Sequence, residues 1–183
     1  PSAQTKKAMS ASAATPSFAY MSGGITPIVS TAARFAYSTE TVTQTPSANN
    51  LTARSYHTSS SNGSTNFYWH GGGTTNKTIA NATPANNYMT NTKEKTVIAT
   101  DTTSAIPATG DTAYCSRTTT GNSTHAYTFN GGTPYGLTWQ SEKMTYSNET
   151  SAALPSAVRL QASYGSVDIS PVKGLTATCP SGG

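Results

Sequence analysis

Tyr56-His-Thr-Ser-Ser-Ser-Asn62-Gly63-Ser-Thr-Asn-Phe-Tyr-Trp-His70 is the stretch on which the fold class turns. Asn-Gly between two strand-like flanks is the strongest short-range signal for a β-hairpin, because both residues accept the positive φ of a tight turn. A two-residue turn at Asn62-Gly63 predicts Ser61 opposite Ser64, Thr58 opposite Phe67 and Tyr56 opposite Trp69. Tyr56, Thr58, Phe67 and Trp69 then share one face, and His57 and Tyr68 the other. Gly71-Gly72-Gly73 closes the stretch and reads as a bend, since no Lys-Ser/Thr follows to make a phosphate loop.

The same texture continues on both sides. Arg34 to Thr43 alternates in part, with Phe35 and Tyr37 on one face. Thr96 to Thr100 is a short apolar run, and Ala113 to Arg117 carries Cys115. His125, Tyr127 and Phe129 alternate with Ala126 and Thr128 before a second turn at Asn130-Gly131-Gly132. Tyr135, Leu137 and Trp139 alternate next, and Val158 to Tyr164 is the best amphipathic strand. No segment keeps an apolar period of 3.6 residues for three turns. The reading is an all-β chain, an antiparallel β-sandwich or jelly roll of about 8–10 short strands. A polar N-terminal arm spans residues 1–17, and a single β-sandwich domain spans 18–183. No internal repeat of 20–50 residues stands out.

Composition narrows the job. Of 183 residues, 34% are hydrophobic and 10% charged, against about 45–50% and 25% in an average soluble domain. Ser and Thr fill the difference at roughly a third of the chain, a composition suited to a hydrated, weakly charged outer surface. The net charge of +4 comes from 11 basic residues spread thinly, with Lys6-Lys7 the one basic pair of the arm; a nucleic-acid reader carries a denser stripe. There is no run of 18 apolar residues, so no membrane-spanning helix is expected. Pro1 is awkward after a signal-peptidase cut but easy after removal of an initiator Met, which keeps a virion location beside an extracellular one.

Reactive residues are few. The two cysteines, Cys115 and Cys179, read as one disulfide closing a loop of about 64 residues. Asn50, Asn62, Asn76, Asn81, Asn122 and Asn148 head Asn-x-Ser/Thr sequons and are candidate glycosylation sites. Tyr68, Trp69, Tyr135, Trp139 and Tyr146 are candidates for an aromatic sugar platform, with core filling as the competing use of the tryptophans. The seven carboxylates include Glu142 and Glu149, which flank Met144 and Tyr146, yet nothing marks a catalytic pair. His57, His70 and His125 lack metal-ligand spacing. No catalytic, metal or cofactor motif is present.

These features point to a structural subunit of a self-assembling extracellular filament, pilus- or fimbria-like, whose partners are copies of itself. Thr15 to Ser30 is the candidate for a strand donated to a neighbour. The competing readings are a jelly-roll coat protein, with nucleic acid as partner, and a carbohydrate-binding adhesin module, with glycans as partner.

Overall fold

The computed structural model describes residues 11–24, 27–45, 49–74, 89–107, 113, 117–133 and 136–155. Within them the chain is all-β and antiparallel, as expected, but richer in strands: twelve, in three four-stranded sheets. The first sheet holds β1 (Ala11–Ala14), β2 (Phe18–Ser22), β3 (Ala32–Ala36) and β4 (Thr41–Gln44). The second holds β5 (Thr58–Ser61), β6 (Asn66–His70), β7 (Lys93–Val97) and β8 (Thr102–Ile106). The third holds β9 (Thr118–Gly121), β10 (His125–Thr133), β11 (Gly136–Thr145) and β12 (Thr150–Ala153). Strand order in every sheet equals chain order, so each sheet is a plain meander. The sheets pack face to face, as layers of a sandwich do, with the second in the middle.

The three leading strands meet: β1 lies against β5, and β5 against β9. Their sequences, Ala-Ser-Ala-Ala, Thr-Ser-Ser-Ser and Thr-Thr-Thr-Gly, follow from that crowding. Only short side chains fit where three edge strands converge, and a hydroxyl there must find a partner. Ser59 donates to the Ser12 carbonyl, Thr58 Oγ1 donates to Thr119 Oγ1 at 2.8 Å, and Ser60 Oγ pairs with His70 Nε2 at 2.9 Å. All four residues of β5 are buried. Part of the Ser/Thr richness therefore belongs to the centre of the molecule, not to the hydrated surface that composition alone suggests.

The hairpin at Asn62 exists, but its register differs from expectation. Ser61 pairs with Phe67, Ser60 with Tyr68, Ser59 with Trp69 and Thr58 with His70, around a loop over residues 62–66. Asn62 accounts for the shift. Its Oδ1 accepts the backbone N–H groups of Ser64, Thr65 and Asn66 at 3.0–3.2 Å, which stabilises a wider loop than a two-residue turn. Phe67 and Trp69 do share a face with Tyr68 on the other, but Tyr56 is no longer opposite Trp69.

The same construction recurs in each sheet, so a structural repeat is present that the sequence did not disclose. Thr15 Oγ1 caps the first turn of sheet one, accepting from Ser17 and Phe18, as Asn122 Oδ1 does in sheet three, accepting from Thr124 and His125. The turn before the last strand places an acidic residue in the left-handed region each time: Glu40 at φ 51°, Asp101 at 52° and Glu149 at 56°. A side-chain bond clasps every one of these turns: Thr39 to Thr41 at 2.7 Å, Thr100 to Thr102 at 2.7 Å, and Thr150 Oγ1 to Asn148 Oδ1 at 2.8 Å.

Pairing settles two further expectations. The proposed donor segment, Thr15 to Ser30, contains β2, which is bonded on both sides by β1 and β3; its backbone groups are already used within the chain. Part of the polar arm, Ala11–Ala14, is strand β1. The amphipathic run at 158–164 and both cysteines, Cys115 and Cys179, lie outside the described residues.

Candidate functional site

The chemistry of the chain concentrates between the sheets. Alternation along β6 sends Phe67 and Trp69 to one side and Tyr68 to the other. Phe67 and Trp69 pack with Ala13, Tyr20 and Ala32 of sheet one, Tyr20 meeting Phe67 at 4.6 Å between ring centroids. Tyr68 packs with Ala126, Met144 and Tyr146 of sheet three, stacked on Tyr146 at 4.7 Å and 15°. Trp69 is fully buried, and its indole N–H donates to Thr96 Oγ1 at 2.7 Å.

Glu94, Asp101, Glu142 and Glu149 are spent on ion pairs across and within these layers. Arg54 and Glu94 form a fully buried pair. Arg54 also donates to the Gly71 and Thr92 carbonyls at 3.0 and 3.2 Å, and Glu94 accepts the Leu51 N–H at 3.1 Å. Burial pushes the Glu94 carboxyl above its ordinary value, against the pull of Arg54. Gly23 abuts this centre: a Cβ there would lie 2.5 Å from the Arg54 carbonyl oxygen, and its φ is +68°, so only glycine fits. Between sheets two and three, Glu142 receives Lys93 and Arg117, the latter at 3.3 Å.

A second set of pairs lies nearer the surface and repeats. Tyr20 sits cross-strand from Arg34, Tyr68 from Lys95 and Tyr127 from Lys143. The acidic turn residue of the following sheet reaches back to the cation: Asp101 to Arg34 at 2.8 Å, and Glu149 to Lys95. Tyr20 also donates to Asp101; burial first, then that bond, raises its phenol to about 12, so it stays protonated. Half-exposed pairs of this kind contribute roughly 0.2–1 kcal/mol. Their use is to set how one sheet sits on the next.

His70 is a strongly displaced base. It is buried, and burial above all, then the Lys93 charge, lowers it to about 3; Arg54 and Arg117 act in the same direction and Glu142 against. The folded state thus holds a neutral imidazole that the unfolded chain protonates near pH 6.5. Its stabilising effect is complete above pH 6.5 and is lost as pH falls from there toward 3. The expected cost on going from pH 7 to pH 4 is roughly 3 kcal/mol. Urea melts of wild type and His70→Gln across that range measure it, and identical pH profiles for the two would refute it.

The sequence-derived sites fare unevenly. Tyr68, Trp69 and Tyr146 are buried and cannot offer a flat ring to a sugar, because the sheets stack on both sides of β6. Tyr135 and the side chain of Trp139 lie outside the description. Asn50 is 3% exposed, too enclosed for a glycan in the folded chain. Asn62 caps its loop, Asn122 and Asn148 are exposed in turns, and Asn76 and Asn81 lie outside the described residues. His57 and His70 are buried apart from His125, and no group of three His, Cys, Asp or Glu residues able to hold a metal occurs among the described residues. Nor does any helix there have the length and apolarity to cross a membrane. Glu142 and Glu149 engage different cations, Lys93 and Lys95, rather than facing each other across a cleft. Sequence reasoning overlooked the basic–acidic spacing of six, Arg34/Glu40, Lys95/Asp101 and Lys143/Glu149, which marks the repeat.

No protein-family model matches the chain, and no curated protein matches it. Among solved structures it resembles that of YjhT, with a TM-score of 0.68 and 13% identity, over 87% of this chain and 55% of that one. The likeness concerns the fold. The chain spans about half the length of that neighbour.

Proposed function

We propose that this chain is a structural subunit that assembles with copies of itself outside the cell, in a pilus- or fimbria-like filament, through its sheet faces rather than by donating a strand. The observation that carries the reading is the outer face of sheet one. There Met21 and Val42 are 46% and 45% exposed, beside Phe35 and Tyr37. The face of sheet two with the same orientation, carrying Phe67 and Trp69, is 0% exposed because sheet one covers it. An apolar face built for stacking and left open is an association surface. The engagement of Glu94, Asp101, Glu142 and Glu149 in ion pairs supports a structural rather than catalytic role for these groups. Low charge and abundant Ser and Thr support an extracellular setting.

Negative-stain microscopy and sedimentation of the purified chain test the reading. Filaments are expected for wild type, and the double variant Met21→Lys/Val42→Lys should raise the dissociation constant at least about tenfold, since each buried apolar side chain contributes on the order of 1.5 kcal/mol or more. A chain that stays monomeric at every concentration removes the proposal. Closed shells containing nucleic acid would make it a coat protein instead.

A further inference from the structure

Four of the six Asn-x-Ser/Thr sequons have their asparagine among the described residues: Asn50, Asn62, Asn122 and Asn148. The fold gives them unequal surroundings. Asn50 is buried. Asn62 spends both ends of its amide on its own loop: Oδ1 accepts three backbone N–H groups, and Nδ2 donates to Thr65 Oγ1 at 2.7 Å. Asn122 and Asn148 are exposed, and each forms the same local turn with the exposed threonine two residues on. Asn122 Oδ1 accepts the backbone N–H and the hydroxyl of Thr124, both at 2.8 Å. Asn148 Oδ1 accepts the backbone N–H of Thr150 at 3.3 Å and its hydroxyl at 2.8 Å. These bonds all end on the amide oxygen, so Nδ2 takes no part in them. The two turns also stand together. Asn122 lies between β9 and β10, and Asn148 between β11 and β12, so in this antiparallel meander both fall at one end of sheet three. Two strand spacings put them about 10 Å apart.

We propose that Asn122 and Asn148 are N-glycan acceptor sites whose glycans cover this end of sheet three. In the transfer, Nδ2 attacks the anomeric carbon of an oligosaccharide held on a polyprenyl pyrophosphate. The C–N bond forms, the bond from that carbon to the pyrophosphate oxygen breaks, the polyprenyl pyrophosphate leaves and Nδ2 gives up one proton. The hydroxyl that a sequon requires already sits on the amide of each asparagine. The bonds of each turn to its threonine span two residues, so the turn can form in the newly made chain before partner strands arrive. After folding, an exposed turn holds a bulky, hydrated glycan in water. A sugar on Asn62 Nδ2 would press on the Thr65 hydroxyl that this nitrogen holds, and one on Asn50 would be enclosed. The assignment rests on the extracellular setting proposed for the chain and not on its self-assembly.

The test sends the full chain through the secretory pathway of a eukaryotic cell behind a cleavable signal peptide and reads the sites by mass spectrometry. Enzymatic release of glycans in heavy-oxygen water should mark Asn122 and Asn148 and leave Asn50 unmarked. Asn122→Gln and Asn148→Gln should each lower the mass by one glycan, and the double variant by two. Thr150→Ser keeps the hydroxyl and should keep the glycan on Asn148, whereas Thr150→Val should lose it. If secretion fails, the full chain purified from bacteria is offered to a purified transferase with its lipid-linked oligosaccharide, and the same sites are expected. A chain bare at Asn122 and Asn148, or carrying its glycans on Asn50 and Asn62 instead, overturns the proposal. Export is imposed by the experiment, so that result leaves self-assembly standing, and a glycosylated chain that never associates removes self-assembly alone.

Discussion

Replacing Arg54 with methionine is expected to destabilise the fold by about 3–5 kcal/mol, the cost of leaving a buried charge without its partner. For a chain of this size that lowers the melting temperature by on the order of 10 °C. The loss is large because Arg54 serves three acceptors at once: the Glu94 carboxylate and the carbonyls of Gly71 and Thr92. Glu94 lies on β7 inside the stack, already raised by burial, and without the guanidinium it must take up a proton or remain an isolated charge. The double variant Arg54→Met/Glu94→Leu should recover much of the loss, since the isolated carboxylate is then gone. Calorimetry of the four members of this cycle measures it. A single variant as stable as wild type would show that the pair is dispensable.

Trp69→Ala is expected to cost roughly 3–5 kcal/mol, through lost burial and the cavity left behind. Trp69 is fully buried between sheets one and two, near Phe67 and His57 at 6.3 and 6.0 Å, with its indole N–H on Thr96. A cavity here loosens the joint between two sheets as well as one side-chain site, so the urea midpoint should fall together with the cooperativity of the transition. Trp69→Phe keeps most of the volume and should cost less than half as much. A loss under about 1 kcal/mol for the alanine variant would contradict a core position.

Much of the fold was legible along the chain. Alternation in Arg34 to Thr43, in His125 to Phe129 and around Phe67-Tyr68-Trp69 reports strands, because side chains in a strand point to alternate faces whatever lies beyond. The turn at Asn62 was visible for a local reason too, whereas Asn130-Gly131-Gly132, which reads as a turn, lies inside β10, where the register shifts between Phe129 and Gly131 in a bulge and the pairing with β11 continues to Thr133. The register at Asn62 was not visible, since it depends on which backbone N–H groups one amide side chain captures. The repeat escaped notice because its units share few identities: Thr15, Asn62 and Asn122 cap equivalent turns with different chemistry, and Glu40, Asp101 and Glu149 sit 61 and 48 residues apart. Once the sheets are superposed in the mind as equals, the spacing from Arg34 to Glu40, Lys95 to Asp101 and Lys143 to Glu149 is plain.

The candidate site was barely legible. Nothing near Arg54 announces Glu94, 40 residues on, and nothing near Tyr68 announces its stacking on Tyr146. Solvent-facing tyrosines and stacked ones look alike in a strand that has sheets on both sides.

The sequence by itself determined an antiparallel all-β chain of short strands and polar turns, because backbone geometry and alternation are settled over a few residues. Only the tertiary structure decided that the strands form three stacked meanders, that β5 can be all Ser and Thr yet buried, and that Glu94, Asp101, Glu142 and Glu149 serve ion pairs. Those outcomes depend on burial and on partners tens of residues away, and burial is a property of the packed molecule, not of any segment within it.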